Sequence, residues 1–206
     1  MKFDLLKHNR PFNATQGRHS IRLQGYDYAQ SGAYFVTAVT YQRDALFGEI
    51  MDGEMRLNRI GEIVQEEWFA STNIRREIRL YPEEFVVMPN HIHGIVWIEN
   101  DEPIGANGIN VDGTDDMNVC VGANGRSPLQ HPQMKPRSLG SFIAGFKSSV
   151  TKRVRDELNT TGIWQRNYYE HIIRNEKELD AICRYIEANP LNWSEDEENP
   201  LKSCQP

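Results

Sequence analysis

The sequence predicts an α+β fold in which antiparallel strands form one sheet covered by helices. Runs of β-branched and aromatic residues alternate with segments of helical period, and a Pro-Asn dipeptide joins two of these runs into a hairpin. The chain has 206 residues, of which 39% are hydrophobic, and this is enough for one domain core. The predicted order is strand, helix, two hairpin strands, helix, strand and a last helix.

The first half of the chain supplies three strands and a helix. Residues 33–41 are rich in β-branched and aromatic side chains and predict a strand. Apolar residues at helical spacing predict a helix over residues 60–72. The apolar runs 85–88 and 91–98 lie on either side of Pro89-Asn90, which favours a turn, so they predict a hairpin.

The second half supplies two helices with a short strand between them. Residues 139–158 have one apolar stripe and predict an amphipathic helix, and residues 169–173 predict a strand. Asn175 followed by Glu178 is typical of a helix start, and Pro190 disfavours a helical backbone at the residue before it. The resulting order resembles a ferredoxin-like βαββαβ sheet with helices on one face and an added C-terminal helix.

The whole chain, residues 1–206, is predicted to form one domain with two appendages. Residues 101–137 are rich in glycine, asparagine, aspartate and proline without an apolar period, which predicts a flexible insertion loop. Residues 194–206 form an acidic tail. Residues 101–134 have a net charge of −4 and residues 194–206 one of −3, so the total of −6 does not exclude a nucleic-acid partner for the rest of the chain.

The composition predicts a cytoplasmic protein with reduced thiols. No apolar run approaches the roughly 20 residues of a membrane-spanning helix, and the first residues lack the apolar region of a signal peptide. The three cysteines, Cys120, Cys183 and Cys204, are widely spaced, which indicates neither a disulfide framework nor a structural zinc site.

His91 and His93 are the first candidate site residues. They are two apart on a predicted strand, so both imidazoles project from one face while Ile92 and Gly94 project from the other. Two converging imidazoles form half of a divalent-metal site suited to Mn²⁺, Mg²⁺ or Zn²⁺. The alternative is a pair of hydrogen-bonded histidines without a metal.

Tyr185 and Asn189 are the second candidate pair. They are four apart on the last predicted helix and lie beside Ile182 at the margin of its apolar stripe, where they would face the sheet. The alternative is a boundary tyrosine and an asparagine that only terminates the helix.

Taken together, these motifs resemble the single-tyrosine HUH transposases, and in particular the REP-associated tyrosine transposases. The resemblance extends from about Arg22 to Trp193 and is interrupted by the insertion loop. It is carried by Met-Pro-Asn-His-Ile-His-Gly at 88–94, Phe-Lys-Ser at 146–148, Trp-Gln-Arg at 164–166 and Tyr-Ile-Glu-Ala-Asn-Pro at 185–190.

The resemblance implies a role for each matching residue. His91 and His93 match the paired metal ligands, and Tyr185 matches the nucleophile. Asn189 matches the third ligand, which is a glutamine in the related insertion-sequence enzymes. These families use Mg²⁺ or Mn²⁺ to cut single-stranded or hairpin DNA through a 5′-phosphotyrosine link. Members act as monomers or as homodimers.

Basic residues around the second half are candidate DNA contacts. Three of them share the polar face of the helix at 139–158, and two lie near the late strand, where a solvated surface is the alternative. They are Lys147, Lys152, Arg155, Arg166 and Arg174. Tyr168 and Tyr169 are rival nucleophiles, but only Tyr185 has a ligand-capable partner one helical turn further on.

The sequence therefore predicts an enzyme for metal-dependent cleavage and strand transfer of single-stranded, hairpin-forming DNA, with no membrane partner. The alternative is a catalytically idle DNA- or RNA-binding module with the same fold. A metal-dependent hydrolase is disfavoured, because Gly94, Ile95 and Val96 follow His93 where further ligands would be expected.

Overall fold

A computed structural model describes residues 23, 25–99, 135–196, 198 and 199. Most of the predicted insertion loop at 101–137, and residues 197 and 200–206 of the acidic tail, lie outside this range. The described residues form a mixed α+β structure with an antiparallel sheet and three α-helices, which confirms the predicted fold class at that level.

The elements follow one another in an order close to the predicted one. The strands are β1 (Gly32–Val39), β2 (Gly48–Met51), β3 (Glu54–Leu57), β4 (Ile78–Arg79), β5 (Phe85–Val87), β6 (His91–Ile98) and β7 (Tyr169–Ile173). The helices are α1 (Arg59–Ile74), α2 (Leu139–Leu158) and α3 (Glu176–Ala188). Short 3₁₀ turns lie at Tyr41–Arg43, Pro82–Glu84 and Trp193–Glu195.

The main sheet has the strand order β4, β6, β1, β7, and β5 also pairs with β6. Every pairing is antiparallel. Thr37 in β1 lies opposite His93 in β6 and opposite Tyr169 in β7, so these three residues form a row across the sheet. Residues directly opposite one another in antiparallel strands face the same side.

Both faces of the sheet are covered, which explains why nearly all of β1 and β6 is buried. On one face, Ile92 and Val96 belong to a core that includes residues of α1 and α2. On the other face, Phe35 and Ile95 pack with Ile182 and Ile186 of α3. The alternation of β6 therefore directs its odd-numbered residues, including His91 and His93, toward the α3 side.

The hairpin of β2 and β3 was not predicted from the sequence. Its strands are short and expose every second residue, so they carry little apolar signal. The turn between them is Asp52-Gly53, with φ values of 55° and 80°. Asp-Gly between alternating strands is a strong hairpin signal, because both turn residues adopt positive φ.

The boundaries of the second half agree with the sequence. The strand at 169–173 and the helix at 139–158 are confirmed. The Asn175 side chain accepts a hydrogen bond from the Glu178 backbone N–H at 3.0 Å and so caps α3, as predicted. Among the described residues, none of the helices is both long enough and apolar enough to span a membrane.

Candidate metal and nucleophile site

His91 and His93 lie side by side in β6, and both are almost completely buried, with exposures of 0% and 3%. Their Nε2 atoms are 2.9 Å apart. Both imidazoles face the α3 side of the sheet, while Ile92 belongs to the core on the opposite face. The predicted convergence of the two rings is present in the structure.

Asn90 determines which ring nitrogen of His91 carries the proton. The Asn90 amide Nδ2 donates to the backbone carbonyls of Arg43 at 2.9 Å and Glu198 at 2.7 Å, so the orientation of the amide is fixed. Its carbonyl Oδ1 then lies 2.9 Å from His91 Nδ1 and can only accept. The neutral His91 ring therefore carries its proton on Nδ1 and presents the Nε2 lone pair to His93.

Thr37 orients the second ring. Its hydroxyl lies 2.8 Å from His93 Nδ1 and can either donate to that nitrogen or accept from it. When Thr37 donates, His93 carries its proton on Nε2 and donates a hydrogen bond from there to His91 Nε2. When Thr37 accepts, both Nε2 lone pairs face the same point, as two ligands of a metal ion would. The contact thus serves both the hydrogen-bonded pair and the metal site.

Burial keeps both histidines neutral. Desolvation lowers the pKa of His93 to about 3. Desolvation, followed by repulsion from His93 and Arg43, lowers the pKa of His91 well below its usual value. Neutral imidazole is the form that binds metal ions, so both histidines are in the protonation state that a metal site requires.

Tyr185 in α3 reaches the histidine pair. Its hydroxyl oxygen is 3.2 Å from His93 Nε2, and its ring contacts the His93 ring at 5.1 Å between centroids. Phe35 packs edge-on against Tyr185 from β1. α3 is placed on this face by Ile182 and Ile186, which lie one turn apart in the core. The apolar stripe of α3 thereby positions the phenol at the metal-ligand candidates.

Asn189 follows α3 directly and is 3% exposed. Its carbonyl oxygen Oδ1 is buried and has no hydrogen-bond partner among the described residues. A buried carbonyl oxygen without a donor costs free energy, about 1–3 kcal/mol by mutational measures, unless something else satisfies it. This oxygen is therefore available for a ligand, and its role as a metal ligand stays a prediction.

Asp196 is a further residue at the site, and the sequence analysis had counted it only as part of an acidic tail. One nitrogen from each of His91 and His93 and one carboxylate oxygen of Asp196 all lie within 4.8 Å of one another. Asp196 lies six residues beyond Pro190, in a segment without apolar period. No sequence signal connects it to the strand that carries the histidines.

These donors fit a divalent metal ion. In an octahedral site with bonds of about 2.1 Å, neighbouring ligand atoms are about 3.0 Å apart, close to the 2.9 Å between the Nε2 atoms. The carboxylate of Asp196 adds an oxygen ligand of the kind that Mg²⁺ and Mn²⁺ prefer. The group can hold a metal, and the donor set does not select one ion.

Four of the five predicted DNA contacts lie together. Lys147, Lys152, Arg155 and Arg166 line a surface groove between α2 and residues 162–166. Arg174 lies apart from it, at the junction of β7 and α3. The groove adjoins the site's end of the sheet, because Gln165 N–H donates to the Val39 carbonyl and Val39 pairs with His91.

The ammonium group of Lys147 contacts other parts of the protein. Its Nζ donates to the backbone carbonyls of Gln165 at 3.0 Å and Asn167 at 2.7 Å, and it lies over the Trp164 ring. Burial lowers the pKa of Lys147 to about 8. This residue therefore holds residues 164–167 against α2, and Lys152, Arg155 and Arg166 are the exposed cations of the groove.

The rival tyrosines occupy different positions. Tyr169 lies in β7 opposite Thr37, on the same face of the sheet as His93, and is half-buried. Tyr168 packs against the core formed with α1 and α2. Among these three tyrosines, Tyr185 has the hydroxyl in hydrogen-bond contact with His93.

The comparisons with known proteins agree with the motifs. No protein-family model matches the sequence. A protein of Haemophilus influenzae (strain ATCC 51907 / DSM 11121 / KW20 / Rd) named "Uncharacterized protein" is 36% identical over 181 residues, covering 87% of this chain and 92% of that protein. The chain belongs to the same family as this protein.

The chain has a second relative, at lower identity. A second protein of the same strain, named "Putative REP-associated tyrosine transposase", is 24% identical over 169 residues, covering 80% of this chain and 73% of that protein. This match confirms the resemblance predicted from the motifs.

Two solved structures align with most of this chain. One is described as a REP-associated tyrosine transposase bound to a REP hairpin, with 20% identity, a TM-score of 0.49, and coverage of 84% of this chain and 74% of that one. The other is described as a "putative transposase" from Deinococcus radiodurans, with 15% identity, a TM-score of 0.41, and coverage of 81% and 95%.

Proposed function

We propose that the protein cleaves and rejoins single-stranded, hairpin-forming DNA through a 5′-phosphotyrosine intermediate with the help of a divalent metal ion. The observation that carries the proposal is the contact of the Tyr185 hydroxyl with His93, 3.2 Å away, within a group of metal-ligand candidates. A nucleophile next to the site that would bind its phosphate is the arrangement this reaction needs.

Tyr185 is proposed to supply the nucleophile. A phenol has a pKa of about 10 and is a weak nucleophile at neutral pH, and a phosphodiester repels an approaching oxyanion. A bound Mg²⁺ or Mn²⁺ would neutralise the phosphate charge and favour the transition state. His91, His93 and Asn189 are the residues proposed to hold that ion. Packing of Tyr185 against Phe35 restricts the phenol to positions near the same group.

The proposed reaction exchanges one phosphodiester for another. The Tyr185 oxygen forms a bond to phosphorus and loses its proton, while the bond from phosphorus to the 3′ oxygen breaks and that oxygen gains a proton. The DNA is left with a free 3′-hydroxyl and a 5′-phosphate linked to tyrosine. A later attack by a 3′-hydroxyl restores the DNA and releases the phenol. The bond energy is retained, so no nucleotide cofactor is needed.

The basic groove is proposed to hold the DNA. Lys152, Arg155 and Arg166 are exposed along it, and the groove adjoins the end of β1 that pairs with His91. Cations along a groove bind the phosphate backbone of a single strand. Arg174, at the other end of β7, is proposed as a more distant contact. The family resemblance supports hairpin-forming DNA as the substrate.

The remaining proposals concern the protein as a whole. The strand order β7, β1, β6, β4 with two crossover helices on one face supports a ferredoxin-like βαββαβ arrangement with α3 as the added helix. We propose that residues 1–206 act as one domain with a flexible insertion at 101–137 and an acidic tail at 194–206. The reaction is proposed to occur in the cytoplasm, in a monomer or a homodimer.

Covalent capture of DNA tests the function. The substrate is a pool of hairpin oligonucleotides with randomised single-stranded flanks, labelled at the 3′ end so that the label stays with the fragment attached to protein. We expect a labelled band of protein size on a denaturing gel with Mn²⁺ or Mg²⁺ and none with excess chelator. Tyr185→Phe should abolish the band and leave DNA binding unchanged, because only the nucleophilic oxygen is lost.

Two matched controls are available. Tyr168→Phe and Tyr169→Phe remove the same oxygen from neighbouring tyrosines and should retain the labelled band. An adduct that persists in Tyr185→Phe and disappears in Tyr169→Phe would contradict the assignment. DNA binding without any adduct in the unaltered protein would indicate the catalytically idle binding module.

A further inference from the structure

We infer that Asp196 is an additional, anionic ligand of the metal ion, delivered by the chain segment that follows α3. The inference rests on the metal site of the proposed function and goes beyond its three neutral ligands. It concerns the segment formed by residues 193–196, 198 and 199, which folds back from the end of α3 onto the histidine pair.

Asp196 lies at the histidines and not on the outer surface. Its carboxylate is within 4.8 Å of ligand nitrogens of both His91 and His93, and the residue is half-buried. Trp193, at the start of the segment, contacts the His91 ring at 6.0 Å between centroids. Trp193 and Asp196 therefore both pack against the histidine pair.

Four contacts hold this segment in place. The Glu198 backbone N–H donates to Asp196 Oδ1 at 2.7 Å, and the Asn199 side chain donates to the Trp193 carbonyl at 2.9 Å. The Asn90 side chain donates to the Glu198 carbonyl at 2.7 Å, and Arg43 pairs with the Glu198 carboxylate at 3.2 Å. Asn90 thus links His91 and the segment that carries Asp196 through one fixed amide.

The balance of protons and lone pairs favours a cation at this position. His91 donates a hydrogen bond from its Nδ1–H to Asn90 Oδ1, so the Nε2 atom of the neutral ring carries no proton. His93 has at most one Nε2 proton, which the neighbouring His91 Nε2 accepts at 2.9 Å. When Thr37 instead accepts from His93 Nδ1, both Nε2 atoms offer lone pairs beside the Asp196 carboxylate. A divalent cation satisfies all three donor atoms together, because each has a lone pair to offer.

A carboxylate changes the expected behaviour of the site. Two imidazoles and one carboxamide are neutral, so a site made of these alone would bind the ion weakly until a DNA phosphate arrives. One anionic ligand strengthens binding of a divalent cation, since affinity for such ions increases with the charge of the ligand set. The protein should therefore bind the metal before it binds DNA.

Calorimetric titration of DNA-free protein with Mn²⁺ tests this inference. Asp196→Asn keeps an oxygen for the Glu198 N–H and removes only the charge and one ligand oxygen. We expect its affinity for Mn²⁺ to fall by at least about 10-fold, the lower end of the losses seen when the partners of metal ligands are removed. Glu195→Gln is the matched control, because it removes the same charge one residue earlier, and it should bind as the unaltered protein does.

The His93→Ala variant distinguishes the role of Asp196 from the metal site of the proposed function. Unaltered affinity in Asp196→Asn together with lost binding in His93→Ala would overturn the role of Asp196 and leave the histidine site in place. An equal loss in Asp196→Asn and Glu195→Gln would also overturn it, since general charge would then explain the effect. Absence of Mn²⁺ binding by the unaltered protein would overturn both. Thermal unfolding of each variant in chelator verifies that the fold is retained.

Discussion

Replacing Gly94 with alanine should destabilise the protein from the centre of the sheet. A Cβ atom at Gly94 would lie 2.6 Å from Trp68 Cζ2 and 3.0 Å from Phe85 Cδ2, which is closer than side chains approach one another. Trp68 is fully buried, stacks on Phe85, and has Phe142 and Phe146 against it edge-on. The indole has no free space to move into, so β6 or the core must shift.

The expected cost follows from two opposing terms. Overpacking of a dense core costs about 1–3 kcal/mol, and replacing glycine with alanine returns about 0.5–1 kcal/mol by restricting the unfolded chain. From the middle of each range, the net loss is about 1 kcal/mol. For a chain of this size each kcal/mol corresponds to about 2–4 °C, so the melting temperature should fall by about 2–4 °C. Circular dichroism at the helix band measures this directly.

Gly145→Ala is the matched control. Gly145 is an exposed residue of α2, and a Cβ there would meet only Arg75, at an ordinary 3.5 Å. This change should stabilise the protein by up to about 1 kcal/mol through helix propensity. In a double-mutant cycle, Trp68→Phe should reduce the cost of Gly94→Ala by making room for the methyl group. Additive costs, or a Gly94→Ala variant as stable as the unaltered protein, would refute the packing argument.

Three further changes test the polar contacts. In the metal-free protein the pKa values of His91 and His93 lie below those of the unfolded chain, so stability should be full above pH about 6.5 and fall as the pH drops. The loss should be about 2 kcal/mol for His93 between pH 7 and 5, and protonation of His91 should add to it. Urea unfolding in chelator measures this, and a flat pH profile would contradict the buried, neutral pair. Lys147→Met should cost about 1–3 kcal/mol because two carbonyls lose their donor, whereas exposed Lys152→Met should change stability little in the same assay. Asn90→Asp should cost at least about 3 kcal/mol, since it sets a carboxylate oxygen against two backbone carbonyls, and a variant with unaltered urea midpoint would exclude the fixed amide orientation.

The parts of the site that lie on regular elements could be predicted from the sequence. Strand alternation places His91 and His93 on one face, and helical period places Tyr185 at the margin of the α3 stripe. These periods depend only on residues close together in the chain, so they can be recognised without knowledge of the fold. The meeting of the strand and the helix was inferred from the family resemblance, and the contact of Tyr185 with His93 supports it.

The parts that depend on distant contacts could not be predicted. Asp196 reaches the histidines only because the chain folds back after α3, at residues 193–196, and no periodic pattern encodes that return. Thr37 contacts His93 through the register of β1 against β6, which a single sequence does not specify. Lys147 has the charge and helix position expected of a DNA contact. In the fold, however, the backbone carbonyls of Gln165 and Asn167 accept hydrogen bonds from its ammonium group.

The site of the covalent link tests the central claim most directly. After reaction with hairpin DNA and Mn²⁺, nuclease trimming leaves a short nucleotide on the protein, and trypsin cleavage after Arg184 gives a peptide that begins at Tyr185 and ends at Lys202. Tyr168 and Tyr169 lie in a separate peptide, from Asn167 to Arg174. We predict that tandem mass spectrometry finds the nucleotide on Tyr185. A nucleotide on the peptide of residues 167–174, or on neither peptide, would contradict Tyr185 as the nucleophile.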